Sequence, residues 1–207
     1  MTKKTDNHNP AVKLRLRQYF LNKYHANGSA KVLDCCQAGG VMWTTLRRTH
    51  PVTSYWGVDM KPKKGRLQID SVRILQQPGL SQNIIDIDTY GSPWKHWFAV
   101  LPNIHQPTTI FLTIGSTMFK GATDGAALAA LGCTFQQQKL PDAFRGKLDE
   151  IGVSHSLARG CDFVTMIEAV EAVSTGNARY IGLRVAPKKD GQQVATADRP
   201  TPSVERN

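Results

Sequence analysis

The 207-residue chain has no apolar run near the length that crosses a bilayer, since Gly, Thr or charge breaks each longer candidate. The stretch from Met1 to His8 lacks the apolar core of a secretory signal, so a cytoplasmic protein with no membrane partner is expected. The four cysteines, Cys35, Cys36, Cys133 and Cys161, form no C-x-x-C pair, and the six histidines form no H-E-x-x-H. No metal site is therefore expected, and the thiols read as buried groups in a reducing compartment. Neither G-x-G-x-x-G nor G-x-x-x-x-G-K-[ST] occurs, which disfavours a pyrophosphate-cradling loop. Acids are scarce early on: residues 1–66 hold thirteen Lys or Arg against three Asp, while residues 67–207 are balanced. Such one-sided charge is the footprint expected for a polyanionic partner, a nucleic acid above all, or else a merely solvated face.

The length suits one domain, expected over residues 10–187, with polar residues 1–9 and the Lys/Gln/Pro/Thr-rich residues 188–207 disordered. Asn9-Pro10 reads as a helix start, and residues 10–27 as a basic N-terminal helix ended by an Asn-Gly turn. Short apolar runs then alternate with helical stretches. Strands are expected at Lys31–Asp34, Tyr55–Asp59, Arg66–Asp70, Asn83–Asp88 and Thr108–Ile114. Helices are expected through Trp43 to Arg48, from Ser71 to Gln76 and near Trp94 to Leu101. Beyond them come helical patterns at Ala126–Leu131 and Pro141–Ile151, a longer helix marked by Leu157, Cys161, Val164, Ile167 and Val170, and a strand at Ala178–Val185. Apolar runs without alternation suit strands buried on both faces. The fold class is therefore α/β, an open, Rossmann-like, mostly parallel sheet flanked by helices.

Asp34, Asp59, Asp70 and Asp88 close four successive strands on this reading, at the strand ends where open α/β sheets bind ligands. The first loop, Asp34-Cys35-Cys36-Gln37-Ala38-Gly39-Gly40, is built of small residues that let backbone approach a ligand closely. The run Val32 to Gly40 resembles the first motif of class I S-adenosylmethionine-dependent methyltransferases, a strand ending in an acid that enters a glycine-rich loop. Gly57-Val58-Asp59 is similar to their second motif, whose acid holds the ribose hydroxyls, and Ile69-Asp70-Ser71 falls where that family places an acid near the adenine amine. Asp88-Thr89-Tyr90-Gly91-Ser92-Pro93 is similar to the Asp-Pro-Phe-Gly-Ser-Pro segment of tRNA guanine-N2 methyltransferases, with Thr89 in place of the usual Pro.

The resemblance implies S-adenosylmethionine as cofactor, held by Asp34, Cys35, Gly39, Gly40, Asp59, Asp70 and Ser71. It implies transfer of a methyl group to an exocyclic amine of an RNA or DNA base. A carboxylate accepting the amine N–H bonds localises a lone pair otherwise delocalised into the ring, and an aromatic ring stacked on the base orients it. Asp88 and Tyr90 are the candidates for these catalytic roles. Arg47, Arg48, Lys63, Lys64, Pro93 and Trp94 are candidate substrate contacts. Two alternatives stay open: a methyltransferase for a small molecule or protein side chain, and a non-catalytic nucleic-acid-binding module of the same fold. Oligomeric state is not legible.

Overall fold

The computed structural model describes residues 9–61, 68–89, 92–115, 118–119, 122–123, 153, 156–172 and 178–188. Helix α1, Pro10–Tyr24, opens on a proline at its first turn, where no backbone N–H is required. Its buried residues are Lys13, Leu16, Arg17, Phe20 and Leu21, a stripe at spacings of three and four that lays one helix face on the sheet. Strand β1 (Ala30–Asp34), helix α2 (Val41–Leu46), strand β2 (Val52–Gly57), helix α3 (Ser71–Leu75) and strand β3 (Ile84–Ile87) follow. Helix α4 (Trp94–Val100) then leads through a short 3-10 turn to strand β4 (Thr108–Ile114). Two short strands, β5 (Met118–Phe119) and β6 (Ala122–Thr123), pair with each other, and β7 (Val164–Ala172) and β8 (Arg179–Pro187) complete the set.

The six-stranded sheet has the order β2-β1-β3-β4-β8-β7. Strands β2, β1, β3 and β4 run parallel, while β8 pairs antiparallel with both β4 and β7. Every residue of β3 and β4 is buried, as the unbroken apolar runs require for strands covered on both faces. One core lies on the α3/α4 side and includes Leu33, Ile85, Ile87, Trp94, Trp97 and Leu112. The other lies under α1 and α2 and includes Leu16, Phe20, Val32, Trp43, Ile84 and Phe111. Glu168 of β7 ties down the end of α1, its oxygens accepting from Tyr19 and Lys23 at 2.6 and 2.7 Å and from Tyr24 at 2.8 Å.

Three expectations are corrected. Arg66–Asp70 is not a sheet strand over its described residues: Gln68 makes one isolated parallel bridge to Asp59. Asp70 instead caps α3, because its short carboxylate accepts from the Val72 N–H at 3.0 Å. The helix expected to carry Leu157 through Val170 stops early: residues 156–160 are helical, and Val164 onward is strand β7. Burial in β7 alternates residue by residue, the strand period, and Ile167 is 53% exposed. The expected patterns at Ala126–Leu131 and Pro141–Ile151, most of residues 1–9 and nearly all of 188–207 lie outside the described residues.

Helix α1 approaches β8 closely because Gly182 faces the Phe20 ring with no side chain between them. A Cβ there would fall on the ring. Gly182→Val should therefore force α1 off the sheet and cost about 1–3 kcal/mol, read as a lowered midpoint in denaturant unfolding.

Candidate active site

The chain passes from β1 to β2 on one side and then returns to β3 on the other. The crevice outside the carboxyl ends of β1 and β3 is thus the topological switch point, where open α/β sheets bind ligands. Asp34 and Asp86 are register partners on these two strands. Asp88 lies just beyond β3.

Two cations from α1 reach this crevice. The Arg17 guanidinium donates to both oxygens of Asp86 at 2.7 and 2.6 Å, and each side chain is 2% exposed. Trp43 of α2 adds its indole N–H to Asp86 at 2.7 Å. One helical turn before Arg17, the Lys13 ammonium donates to both oxygens of Asp88 at 2.7 and 2.8 Å. Burial would push the Asp88 carboxyl up, but the charges of Arg17 and Lys13 and hydrogen bonds from Lys13 and Thr113 hold it below the usual range. Among the described residues Asp34 has no cation paired with it alone. The Tyr55 hydroxyl donates to it at 2.8 Å, and burial, with Asp86 beside it, pushes its carboxyl up to about 7. The set holds three carboxylates and two paired cations.

The loop after β1 is fixed from below and from the side. Cys35 N–H donates to the Asp86 carbonyl and Gln37 N–H to that of Val58, each at 2.9 Å. Ala38 and Gly40 take positive φ values of 45° and 67°, so the tight turn needs a glycine at its end. Asp59, just past β2, holds this turn: Oδ2 accepts from the Ala38 N–H at 2.8 Å and Oδ1 from the Lys61 N–H at 2.7 Å. A carboxylate has about four acceptor directions, so counting the described residues two are left for another ligand. Val41 and Met60, next to this turn, leave apolar side chains 72% and 54% exposed. Across the sheet, the buried Ser71 hydroxyl pairs with His96 Nε2 at 2.8 Å. Thr89 Oγ1, Ser92 Oγ and His96 Nδ1, on the segment after β3, are buried without hydrogen-bond partners among the described residues. Such atoms are what a bound polar ligand satisfies.

The structure thus gathers Asp34, Asp88, Asp59 and the loop carrying Cys35, Gly39 and Gly40 around one end of the sheet. Cys35 is itself buried, and burial raises its thiol well above the usual range, so its side chain is an inert core group. Asp70 and Ser71 sit at the start of α3. Pro93 precedes α4, and Trp94, expected at the substrate, is 1% exposed in the α3/α4 core, because burying the large indole is worth more than leaving it in water. Arg47 and Arg48 are exposed, and the Arg47 guanidinium lies 5.2 Å from the centroid of the Tyr55 ring. Tyr90, Lys63 and Lys64 lie outside the described residues. Of the basic residues in the N-terminal third, Lys13 and Arg17 are only 4% and 1% exposed.

Sequence reasoning missed Lys13, Arg17, Tyr55 and Asp86. The signals were present: a lone acid inside Ile84-Ile85-Asp86-Ile87, and two cations falling within the Leu16, Phe20, Leu21 stripe.

No protein-family profile and no curated protein sequence matches the chain. Solved structures do. Trm1 from Pyrococcus horikoshii in complex with S-adenosyl-L-methionine aligns with TM-score 0.59 at 17% identity over 86% of the chain. The chain spans 56% of that protein's length. A Streptococcus thermophilus protein provisionally named a hemolysin gives TM-score 0.55 at 10% identity, covering 87% of this chain and 69% of that one. The plantazolicin methyltransferase BamL, complexed with a triazolic substrate analogue and S-adenosylhomocysteine, gives TM-score 0.50 at 10% identity, covering 90% and 87%. The fold is that of the class I methyltransferases.

Asp34 binds its proton more tightly folded, near pH 7, than unfolded, near a reference of about 3.9. Its contribution to stability is therefore full below about pH 4 and declines as pH rises toward 7. The stability difference between wild type and Asp34→Asn, from thermal melts between pH 4 and 8, should shift in favour of Asp34→Asn across that window and then level off. Arg17→Met strands a buried carboxylate and should cost about 3–5 kcal/mol. Adding Asp86→Asn should restore much of that loss in denaturant unfolding, since the Trp43 N–H keeps an acceptor.

Proposed function

We propose that the chain is an S-adenosylmethionine-dependent methyltransferase acting on an exocyclic amine of a nucleic-acid base. The observation that carries the reading is the charge balance at the switch point: three carboxylates and two paired cations. A ligand bearing a sulfonium and an ammonium against one carboxylate supplies the missing positive charge beside Asp34. The Thr89 and Ser92 hydroxyls and two acceptor directions of Asp59, unpartnered among the described residues, and the left-handed turn at Ala38 and Gly40 fit the same ligand.

Asp34, the turn through Gly39 and Gly40, and Asp59 would hold the cofactor, with Asp70 and Ser71 at its base end. Bound there, it would supply an electrophilic methyl to the amine nitrogen, leaving as a neutral thioether, with the proton that the nitrogen loses passing to solvent. Asp88, ionised and at the strand end, accepts the amine N–H. Tyr90 and Pro93 would shape the base pocket. Arg47, stacked on the Tyr55 ring whose hydroxyl meets Asp34, places an exposed guanidinium beside the crevice for a phosphate. Arg48, Lys63 and Lys64 would extend that contact.

Calorimetry with S-adenosylhomocysteine is the first test. Wild type should bind, and Asp59→Ala should weaken binding by at least about tenfold. No binding by folded wild type would sink the cofactor assignment. Transfer of labelled methyl to unfractionated RNA and to DNA then separates the substrates. Arg47→Ala/Arg48→Ala should flatten the salt dependence of nucleic-acid binding, whereas salt-independent transfer would point to a small-molecule acceptor.

A further inference from the structure

We propose that Lys13 is a positioning residue of this site: by engaging both oxygens of Asp88 it fixes that carboxylate as a charge-balanced acceptor for the N–H of a neutral amine. The inference rests on the methyl-transfer reading.

The geometry carries it. Helix residues four apart rise about 6 Å along the axis, and strand residues two apart about 6.6 Å. Lys13 and Arg17 on α1 therefore match the spacing of Asp88 and Asp86. The Arg17 guanidinium also donates to the Lys13 carbonyl at 3.1 Å, locking the two turns together. Burial of the Arg17–Asp86 pair already anchors the helix, yet Lys13 reaches a carboxylate at the crevice whose side chain is 23% exposed, while its own is 5% exposed. A lysine this buried needs a fixed partner, and its ammonium also lies over the Tyr180 ring on β8, 5.1 Å from the centroid.

Asp88 has about four acceptor directions. Among the described residues Lys13 takes two of them, which leaves acceptor capacity for an incoming N–H. Among the described residues, the charged and titratable groups facing Asp88 are Lys13 and Arg17 from α1, Asp34 from β1 and Cys36 from the following loop. Of these, Lys13 alone touches it through a charge. Removing that charge should raise the pH at which Asp88 loses its proton.

The test uses the full chain with Lys13→Met and Lys13→Arg. In wild type, the ¹³C carboxyl resonance of Asp88 should stay ionised to below its ordinary titration range. In Lys13→Met its midpoint, and the acid limb of methyl transfer to unfractionated RNA, should both move up by about one pH unit, costing about tenfold in rate on the acid side. Lys13→Arg should restore the wild-type limb, and S-adenosylhomocysteine affinity should stay within about twofold in both variants. If wild type binds S-adenosylhomocysteine and transfers methyl but Lys13→Met leaves the acid limb in place, the inference falls alone. A wild-type Asp88 resonance that titrates in the ordinary range overturns it without any variant. Folded wild type that neither binds S-adenosylhomocysteine nor transfers methyl removes the methyl-transfer reading and this inference with it.

Discussion

The Arg17–Asp86 ion pair is the constraint around which the molecule is arranged. A carboxylate in the middle of a buried parallel strand is tolerable only with a counter-charge and a full set of hydrogen bonds. Arg17 supplies two of those bonds and Trp43 a third. Because the donors come from α1 and α2, satisfying one strand residue docks two helices against the same sheet face. The packing of Phe20 on Phe111, with ring centroids 5.6 Å apart at right angles, consolidates what the charge pair specifies.

With α1 so placed, the electrostatics of the crevice follow. Lys13 falls one turn from Arg17 and meets Asp88, while Asp34 is left to the Tyr55 hydroxyl and a shared proton economy with its neighbours. Aligned carboxylates on adjacent parallel strands repel, and the sheet tolerates this because one of them can hold a proton near neutral pH. The same arrangement leaves room for a positive ligand, so stability and ligand preference trade against each other at a single residue.

Much of the sheet was legible from sequence. Val32-Leu33, Ile84-Ile85 and Thr108 to Ile114 are apolar runs with turn residues on either side, and β1, β3 and β4 lie close to where those runs place them, as β8 lies close to the strand expected at Ala178–Val185. Strand β7 was not legible, because Leu157, Cys161, Val164, Ile167 and Val170 fit a helical spacing while Val164, Met166, Glu168 and Val170 fit a strand. Only pairing with β8 decides between them. At the site, strand-end acids were visible as candidates, but Asp70 belongs to a helix cap and Asp86 was passed over as a strand interior. The roles of Lys13 and Arg17 were hidden because a charged residue is ordinarily assigned to water. Their membership of the buried stripe becomes evident only once Asp86 and Asp88 require cations.

The seat of α1 on β8 also has a bearing on biosynthesis. Phe20 rests over Gly182, Lys13 over the Tyr180 ring, and Glu168 of β7 clamps the helix end. These partners lie more than a hundred residues along the chain from the helix they receive. During synthesis α1 emerges long before its platform exists, and contacts of such separation form slowly. Asp86, Asp88 and Phe111 are available to α1 earlier, but the surfaces supplied by Glu168, Tyr180 and Gly182 are not. The seat of α1 is thus completed late, and a nascent chain lacking those strands would leave one flank of a basic, apolar helix uncovered.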